Sequence, residues 1–247
     1  MKRTESIMGM PITIEVVGDG ASIDTLITQA FDEFRRIDAV FSTYKISSEI
    51  SRINAHKLMI DDASAEMQEV LESCERLKSE TNGYFDISYR GILDPSGYVK
   101  GWTIGRVEWL LRQGKADNFV VSAGGDIVCA GHRADGTPWS VGIANPTSSA
   151  ESIKNLNLSD RSIATSATYE RGDHIYNPLT KQTVNELTSV SIIGPDIVMA
   201  DVYATTVFVM GKAGIDWIQT KPDYAAYILT SDSRAVLTPN LQAYIAA

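Results

Sequence analysis

Apolar residues return at helical spacing between Ser22 and Phe41, at Ile23, Leu26, Ile27, Ala30, Phe34, Ile37 and Phe41. That period predicts an amphipathic helix with Ser22 as its N-cap. A second helix is predicted from about Ser64 to Ser79, with Met67, Val70, Leu71, Cys74 and Leu77 on one face. A third runs from near Tyr98 or Val99 to Gly114, a glycine placed to end it as the C′ residue. The stretch from Val198 to Met210 is apolar almost all round and stops at Gly211, which predicts a buried helix. Elsewhere the pattern shortens to runs of strand length. These are Ile12 to Val17, Phe119 to Ala123, Ile127 to Ala130, Trp139 to Ala144, Ile163 to Ser166, Ser189 to Ile193, Tyr224 to Thr230 and Ala235 to Thr238. Runs of strands with a few helices among them, and no regular βαβ alternation, point to an α+β fold rather than a doubly wound parallel sheet. No repeat, low-complexity tract or linker interrupts the 247 residues, enough for one large domain or two small ones sharing a core.

Composition narrows the class of partner. Hydrophobic residues at 44% and charged residues at 21% are ordinary for a globular chain. A formal net charge of -9 argues against a nucleic-acid binder, which needs a basic face to displace counterions. It leaves room for an anion at a local site, because helix N-termini and bound cations carry their own positive field. Cys74 and Cys129 lie far apart in apolar stretches, without zinc or redox spacing, so buried free thiols are expected. No window has the length of a membrane span. The first ten residues carry neither the apolar run of a signal peptide nor a cysteine for lipid attachment, and a cytoplasmic protein is expected.

Four constellations are candidates for chemistry, and each has a plain structural alternative. Asp201 and Thr205 stand four residues apart on the apolar helix and so share a face. A buried carboxylate needs a partner, and a carboxylate with a hydroxyl suits a hard, oxygen-seeking cation such as Mg²⁺. Alternatively, Asp201 caps an early turn and Thr205 bonds back to the helix backbone. Asp94-Pro95-Ser96-Gly97-Tyr98-Val99-Lys100-Gly101 leads into a helix whose free amides, with Lys100, would receive a phosphate. It is otherwise an ordinary Pro-Gly turn, and it lacks P-loop spacing. Ser122-Ala123-Gly124-Gly125-Asp126, set between two strands, lets backbone approach a ligand or simply turns a hairpin. His174, in a polar loop beyond Ala164-Thr165-Ser166, is either a general base or only solvated, the reading given also to His56 and His132.

Taken in order, these segments resemble the ApbE family of FAD:protein FMN transferases. The resemblance is carried by Met8-Gly9-Met10, Ser42-Thr43-Tyr44, Ser48 to Asn54, and Gly83-Tyr84-Phe85-Asp86-Ile87. It continues through Asp94 to Gly101, Ala123 to Asp126, Ala164-Thr165-Ser166, His174-Ile175 with Pro178, and Ala200-Asp201 with Ala204-Thr205. The resemblance implies an α+β fold of mixed or antiparallel sheets and packed helices around a central FAD cleft, with one domain over residues 1–247. It further implies transfer of the FMN moiety of FAD to a threonine of an acceptor flavoprotein, within a short Asp-x-x-Thr-type motif, and release of AMP. By resemblance, Asp201 and Thr205 would hold Mg²⁺, helped by backbone carbonyls near Gly97 and Ala164. Met8, Tyr44, Tyr84, Phe85, Asp86, Asp94, Lys100, Ala123, Gly124, Gly125 and Ile175 match FAD-binding positions. His174 matches the histidine that deprotonates the acceptor threonine. Asn177 stands where the family pattern has aspartate, Lys181 where it has glycine, and Ala167-Thr168 where Gly-Asp is common. Two alternatives use the same residues: Mg²⁺-dependent hydrolysis of FAD to FMN and AMP, and FAD binding without catalysis.

Overall fold

The structure, a computed structural model, describes residues 1–89, 91–145, 148–167 and 176–246, with backbone alone at 148–151. Its largest sheet has eight strands, in the spatial order β1 (Lys2–Ile7), β2 (Met10–Val16), β5 (Phe119–Ala123), β6 (Asp126–Ala130), β9 (Arg161–Ala167), β10 (Leu187–Gly194), β11 (Ala225–Thr230) and β12 (Ala235–Leu237). Every pairing in it is antiparallel. Two short ribbons stand apart, β3 (Ser88–Tyr89) with β4 (Ile92–Leu93), and β7 (Trp139–Asn145) with β8 (Ser148–Leu158).

Successive side chains of a strand point to opposite faces, and both faces of the large sheet are covered. Val128, Ala130, Ile192, Ala226 and Ile228 enter the core beneath the helices. Their neighbours Cys129, Ile193, Ala225 and Tyr227 enter a second core, closed by Trp139, Val141, Ile143, Leu156 and Leu158 of the β7–β8 ribbon. Double cover is why Val190 to Ile193 reads as a buried run rather than a clean alternation. The helices α1 (Ala21–Phe41), α4 (Ser96–Gln113) and α5 (Ile197–Met210) supply Phe31, Phe34, Ile104, Leu111, Ala200 and Phe208 to the first core. A helical cluster beside it joins the far end of α1 to α2 (Glu49–Asn54) and α3 (Ala65–Glu80) through Ile37, Phe41, Ile50, Met67, Val70 and Leu77. A further helix, α6 (Lys212–Gln219), follows α5 across Gly211. The α+β expectation stands, with antiparallel pairing throughout.

Several boundaries differ from the sequence reading for local reasons. The N-cap of α1 is Gly20, at φ 116°, and Ser22 lies inside the first turn. The α4 helix starts at Ser96, earlier than its apolar period, because the Asp94 carboxylate accepts the Ser96 N–H at 3.0 Å. Gly114 has an ordinary φ of -74°, and Lys115 instead takes the left-handed position at 61°. What Gly114 provides is room: a Cβ there would lie 2.5 Å from Leu26 Cδ1. The β1 strand escaped the pattern because Lys2-Arg3-Thr4-Glu5-Ser6 is polar, as an edge strand tolerates. Cys74 and Cys129 are buried and unbridged. Among the described residues no helix is long and apolar enough to cross a membrane.

Candidate active site

A cleft of about 820 Å³ opens where the start of α4, the middle of α5 and the end of β9 meet the loop from Tyr84 to Asp94. Lys100, Asp201, Thr205, Thr165 and Ser166 make one part of its lining polar. Tyr84, Phe85, Tyr89, Ile92 and Tyr176 make another part aromatic and apolar.

The loop is held by side chains that local sequence places well. The Thr81 hydroxyl, at the end of α3, donates to the Leu77 carbonyl at 2.8 Å and accepts the Phe85 N–H at 3.0 Å. Asp86 pairs with Lys78 at 2.9 Å, and its other oxygen accepts the Ser88 N–H at 2.8 Å. Asn54, the last residue of α2, bonds the backbone of Leu93 twice, donating and accepting at 2.9 Å. Tyr176 packs against Tyr89 with ring centroids 4.4 Å apart and planes tilted by 50°, and its hydroxyl donates to the Ser88 carbonyl.

Asp201 is set by the crossing of α4 over α5. Asp196 caps α5, accepting the Val198 and Met199 N–H groups, so Asp201 is free of that task. Gly101 lets the helices approach: a Cβ there would stand 3.0 Å from Asp201 Cβ and 3.1 Å from the Ile197 carbonyl. The approach brings the Gly101 N–H to 3.1 Å from Asp201 Oδ2. In a regular helix that N–H would serve the carbonyl of Gly97, so Asp201 competes for the donor of an oxygen beside the cleft. Lys100 Nζ lies 3.6 Å from Asp201 Oδ1 and 2.8 Å from Asp126 Oδ2. Asp126 Oδ1 accepts the Thr165 N–H at 3.1 Å. Burial raises the Asp201 pKa well above the usual carboxylate range; Lys100 and the Gly101 amide oppose the shift, and the charge of Asp126 adds to it. One turn along, the Thr205 hydroxyl lies 3.1 Å from that of Ser166. It is Thr206 that bonds back along the helix, to the Val202 carbonyl at 2.8 Å.

These donors are all oxygens: the Asp201 carboxylate, the Thr205 and Ser166 hydroxyls, and the Gly97 carbonyl. Among the described residues no trio of His, Cys, Asp and Glu stands ready to hold a metal ion. A partial oxygen shell of this kind fits Mg²⁺, which usually takes one or two carboxylates and completes its octahedron with water and phosphate oxygens. A desolvated carboxylate with one ammonium at 3.6 Å is also a group that a cation would stabilise.

Of the residues read from the sequence, Tyr44, Tyr84, Phe85, Asp86, Asp94, Gly97, Lys100, Asp201 and Thr205 line this one cleft. Tyr44 does so from the rim, 95% exposed. Met8, Ala123, Gly124, Gly125 and Ala164 are not among the lining residues. Met8 (φ 56°) and Gly9 (φ 75°) form the two-residue turn between β1 and β2, and Gly124 (55°) and Gly125 (89°) form that between β5 and β6. The paired glycines therefore do turn a hairpin, as type I′ geometry demands. Ala164 is buried in the sheet, opposite Ile192 and one residue before the cleft-lining Thr165. His174 and Ile175 lie outside the described residues.

The sequence reading did not assign Asp126, Ser166, Asn54, Tyr89 or Tyr176 to the site. Asn54, Asp126 and Ser166 did carry a signal, since each lies in a segment that bears the family resemblance, whereas Tyr89 and Tyr176 carried none. Asn177 has a local duty: its Oδ1 accepts the N–H groups of Leu179 and Thr180 at 2.9 and 3.2 Å.

An antiparallel sheet with helical cover, and a cleft that joins aromatic walls to a lysine–carboxylate cluster, define an α+β protein. Comparison makes the class specific: the chain belongs to the ApbE family, matching it over residues 8–94 and 90–228. The flavin transferase ApbE from Vibrio cholerae has a similar fold, with 21% identity, a TM-score of 0.85, and coverage of 99% of this chain and 98% of that one. The ApbE protein from Thermotoga maritima gives 20% identity and a TM-score of 0.88, covering 100% and 99%. Among curated relatives, the FAD:protein FMN transferase of Haemophilus influenzae is 23% identical over 306 residues, 96% of this chain and 88% of its own.

Proposed function

We propose that this chain transfers the FMN moiety of FAD to a threonine hydroxyl of an acceptor flavoprotein, in an Asp-x-x-Thr-type motif, with Mg²⁺ required and AMP released. The observation that carries the reading is the convergence of Asp201, Thr205 and Lys100 with Tyr84 and Phe85 in one cleft, in a family whose relatives are named for this transfer. A volume of about 820 Å³ is within the range of clefts that bury small molecules. In the reaction the threonine oxygen bonds to the FMN phosphorus. The bond from that phosphorus to the bridging oxygen breaks, and AMP leaves with the electron pair.

The protein's part in such a transfer is alignment and neutralisation of spreading charge. Lys100 and the N-terminal end of the α4 dipole, where Ser96 and Gly97 line the cleft, would face the phosphates. Asp201 and Thr205, with the Gly97 and Ala164 carbonyls, would hold Mg²⁺, which when bound would supply Lewis-acid stabilisation of the phosphate charge. Tyr44, Tyr84, Phe85, Asp86 and Asp94 would position FAD within the cleft, and by resemblance Met8, Ala123, Gly124, Gly125 and Ile175 are further FAD-binding positions. His174 takes the threonine proton as general base.

The test is incubation with FAD, Mg²⁺ and a candidate acceptor. Covalent flavin fluorescence on the acceptor and stoichiometric AMP are expected; an acceptor left colourless overturns transfer, and free FMN made without acceptor indicates hydrolysis instead. Asp201→Ala should abolish turnover, and near-normal activity would refute the metal assignment. His174→Ala should slow transfer by about 10²–10⁴-fold, the usual contribution of a general base. In this reading residues 1–247 form one domain and the acceptor is met in the cytoplasm; a single unfolding transition and cell fractionation check these two points.

A further inference from the structure

Ser166, next to the last residue of β9, and Thr205, on α5, bring two hydroxyls to 3.1 Å where the helix lies on the sheet. Both residues line the cleft, and Ser166 is buried. A threonine inside a helix can turn its hydroxyl back to the carbonyl four residues earlier. Thr103 does so to Val99 at 2.6 Å, and Thr206 to Val202 at 2.8 Å. Thr205 reaches across to β9 instead. Distance alone lets either oxygen of the pair be the donor, but a cation would decide between them. A hydroxyl that ligates a metal presents a lone pair to it, so its proton must point elsewhere and find an acceptor. Were that acceptor the Asp201 carbonyl, the Thr205 oxygen would be drawn against its own helix backbone. Ser166 places an acceptor off the helix, beside the cleft.

We propose that Ser166 is a positioning residue whose oxygen accepts the Thr205 proton, fixing the Thr205 hydroxyl towards the cleft and leaving its lone pairs to a divalent cation. The inference rests on the reading of Thr205 as a cation ligand. Ser166 acts through Thr205, so its effect exists only while the threonine hydroxyl is present. That dependence separates a positioning role from a structural one, and from direct ligation by Ser166.

Mn²⁺ serves as the probe, its free fraction followed by electron paramagnetic resonance on the full chain without FAD, with thermal unfolding confirming that each variant folds. Ser166→Ala should weaken Mn²⁺ binding by about 10- to 100-fold, the usual effect of losing a group that supports a metal ligand. Thr205→Val should weaken it at least as much. The double variant, Ser166→Ala with Thr205→Val, should bind no more weakly than Thr205→Val alone, because residues that act as one unit are not additive. Wild-type affinity in Ser166→Ala overturns the proposal. So do losses that multiply in the double variant, since Ser166 would then act independently of Thr205. Should Ser166→Ala fail to fold, Ser166→Cys takes its place, a thiol being a weak acceptor of similar size; the same loss is expected, and unchanged affinity overturns the proposal. Wild-type binding by Thr205→Val would instead remove Thr205 as a ligand, a distinct failure that takes this inference with it.

Discussion

Lys181 holds a φ of 59°, in the left-handed region that L side chains resist, at a position where the family pattern has glycine. Lys181→Gly should therefore raise stability by about 1 kcal/mol, read as a shift in urea midpoint at constant slope. Four residues earlier, the Asn177 amide oxygen ties down the same turn through Leu179 and Thr180. A carboxylate accepts those two N–H groups equally well, so Asn177→Asp should leave transfer unchanged. Asn177→Ala should cost about 1 kcal/mol of stability through the lost hydrogen bonds. Burial drives the thiols of Cys74 and Cys129 up to about 12, so neither forms the reactive thiolate at neutral pH. Both should resist alkylation in the native protein and react once it is unfolded; rapid native labelling would contradict their burial.

Between elements, the decisive contact is the crossing of α4 on α5. Gly101 and Gly105 look alike in sequence, a turn apart on one helix, but their surroundings differ. A Cβ at Gly101 meets Asp201 Cβ and the Ile197 backbone at 3.0 and 3.1 Å, whereas one at Gly105 meets side-chain methyls of Val198 and Ile197 at 3.5 and 3.6 Å. Gly101→Ala should cost about 1–3 kcal/mol as overpacking, and should lower Mn²⁺ affinity by shifting the amide from Asp201. Gly105→Ala makes only ordinary contact and serves as the control; equal losses in both would refute the account. Helix periods and the Asp201–Thr205 spacing were legible because they repeat within one element. The duty of Gly101 was not, since it exists only where a second helix crosses.

Across the molecule, an ion-pair network ties three helices of the helical layer. Arg36 pairs with Glu33 and Glu66 at 2.8 and 2.6 Å, and Arg106 of α4 reaches the same two carboxylates at 2.6 and 3.2 Å. Hydrogen bonding from Arg36, aided by Arg106, pulls Glu33 down to about 2 from 4.5 in spite of partial burial. A carboxyl held low contributes stability that is complete above its unfolded value and is lost as pH falls through its folded one. Stability should thus decline from about pH 4.5 towards about pH 2, and Glu33→Gln should flatten that part of the profile. An unchanged slope in the variant would show that other carboxylates govern the acid limb.

Sequence alone determined the elements whose signals are local: the four long amphipathic or apolar helices, the strand from Ile12 and the sheet strands from Phe119 onward, and the roster of groups able to do chemistry. Period and turn preference act within a few residues, so they can be read one segment at a time. Tertiary structure decided which of those groups meet. Sheet register puts Asp126 beside Thr165, the α4–α5 crossing puts Gly101 and Lys100 on Asp201, and loop packing sets Tyr176 against Tyr89. Burial and charge pairing depend on neighbours distant in the chain, and no local pattern encodes them.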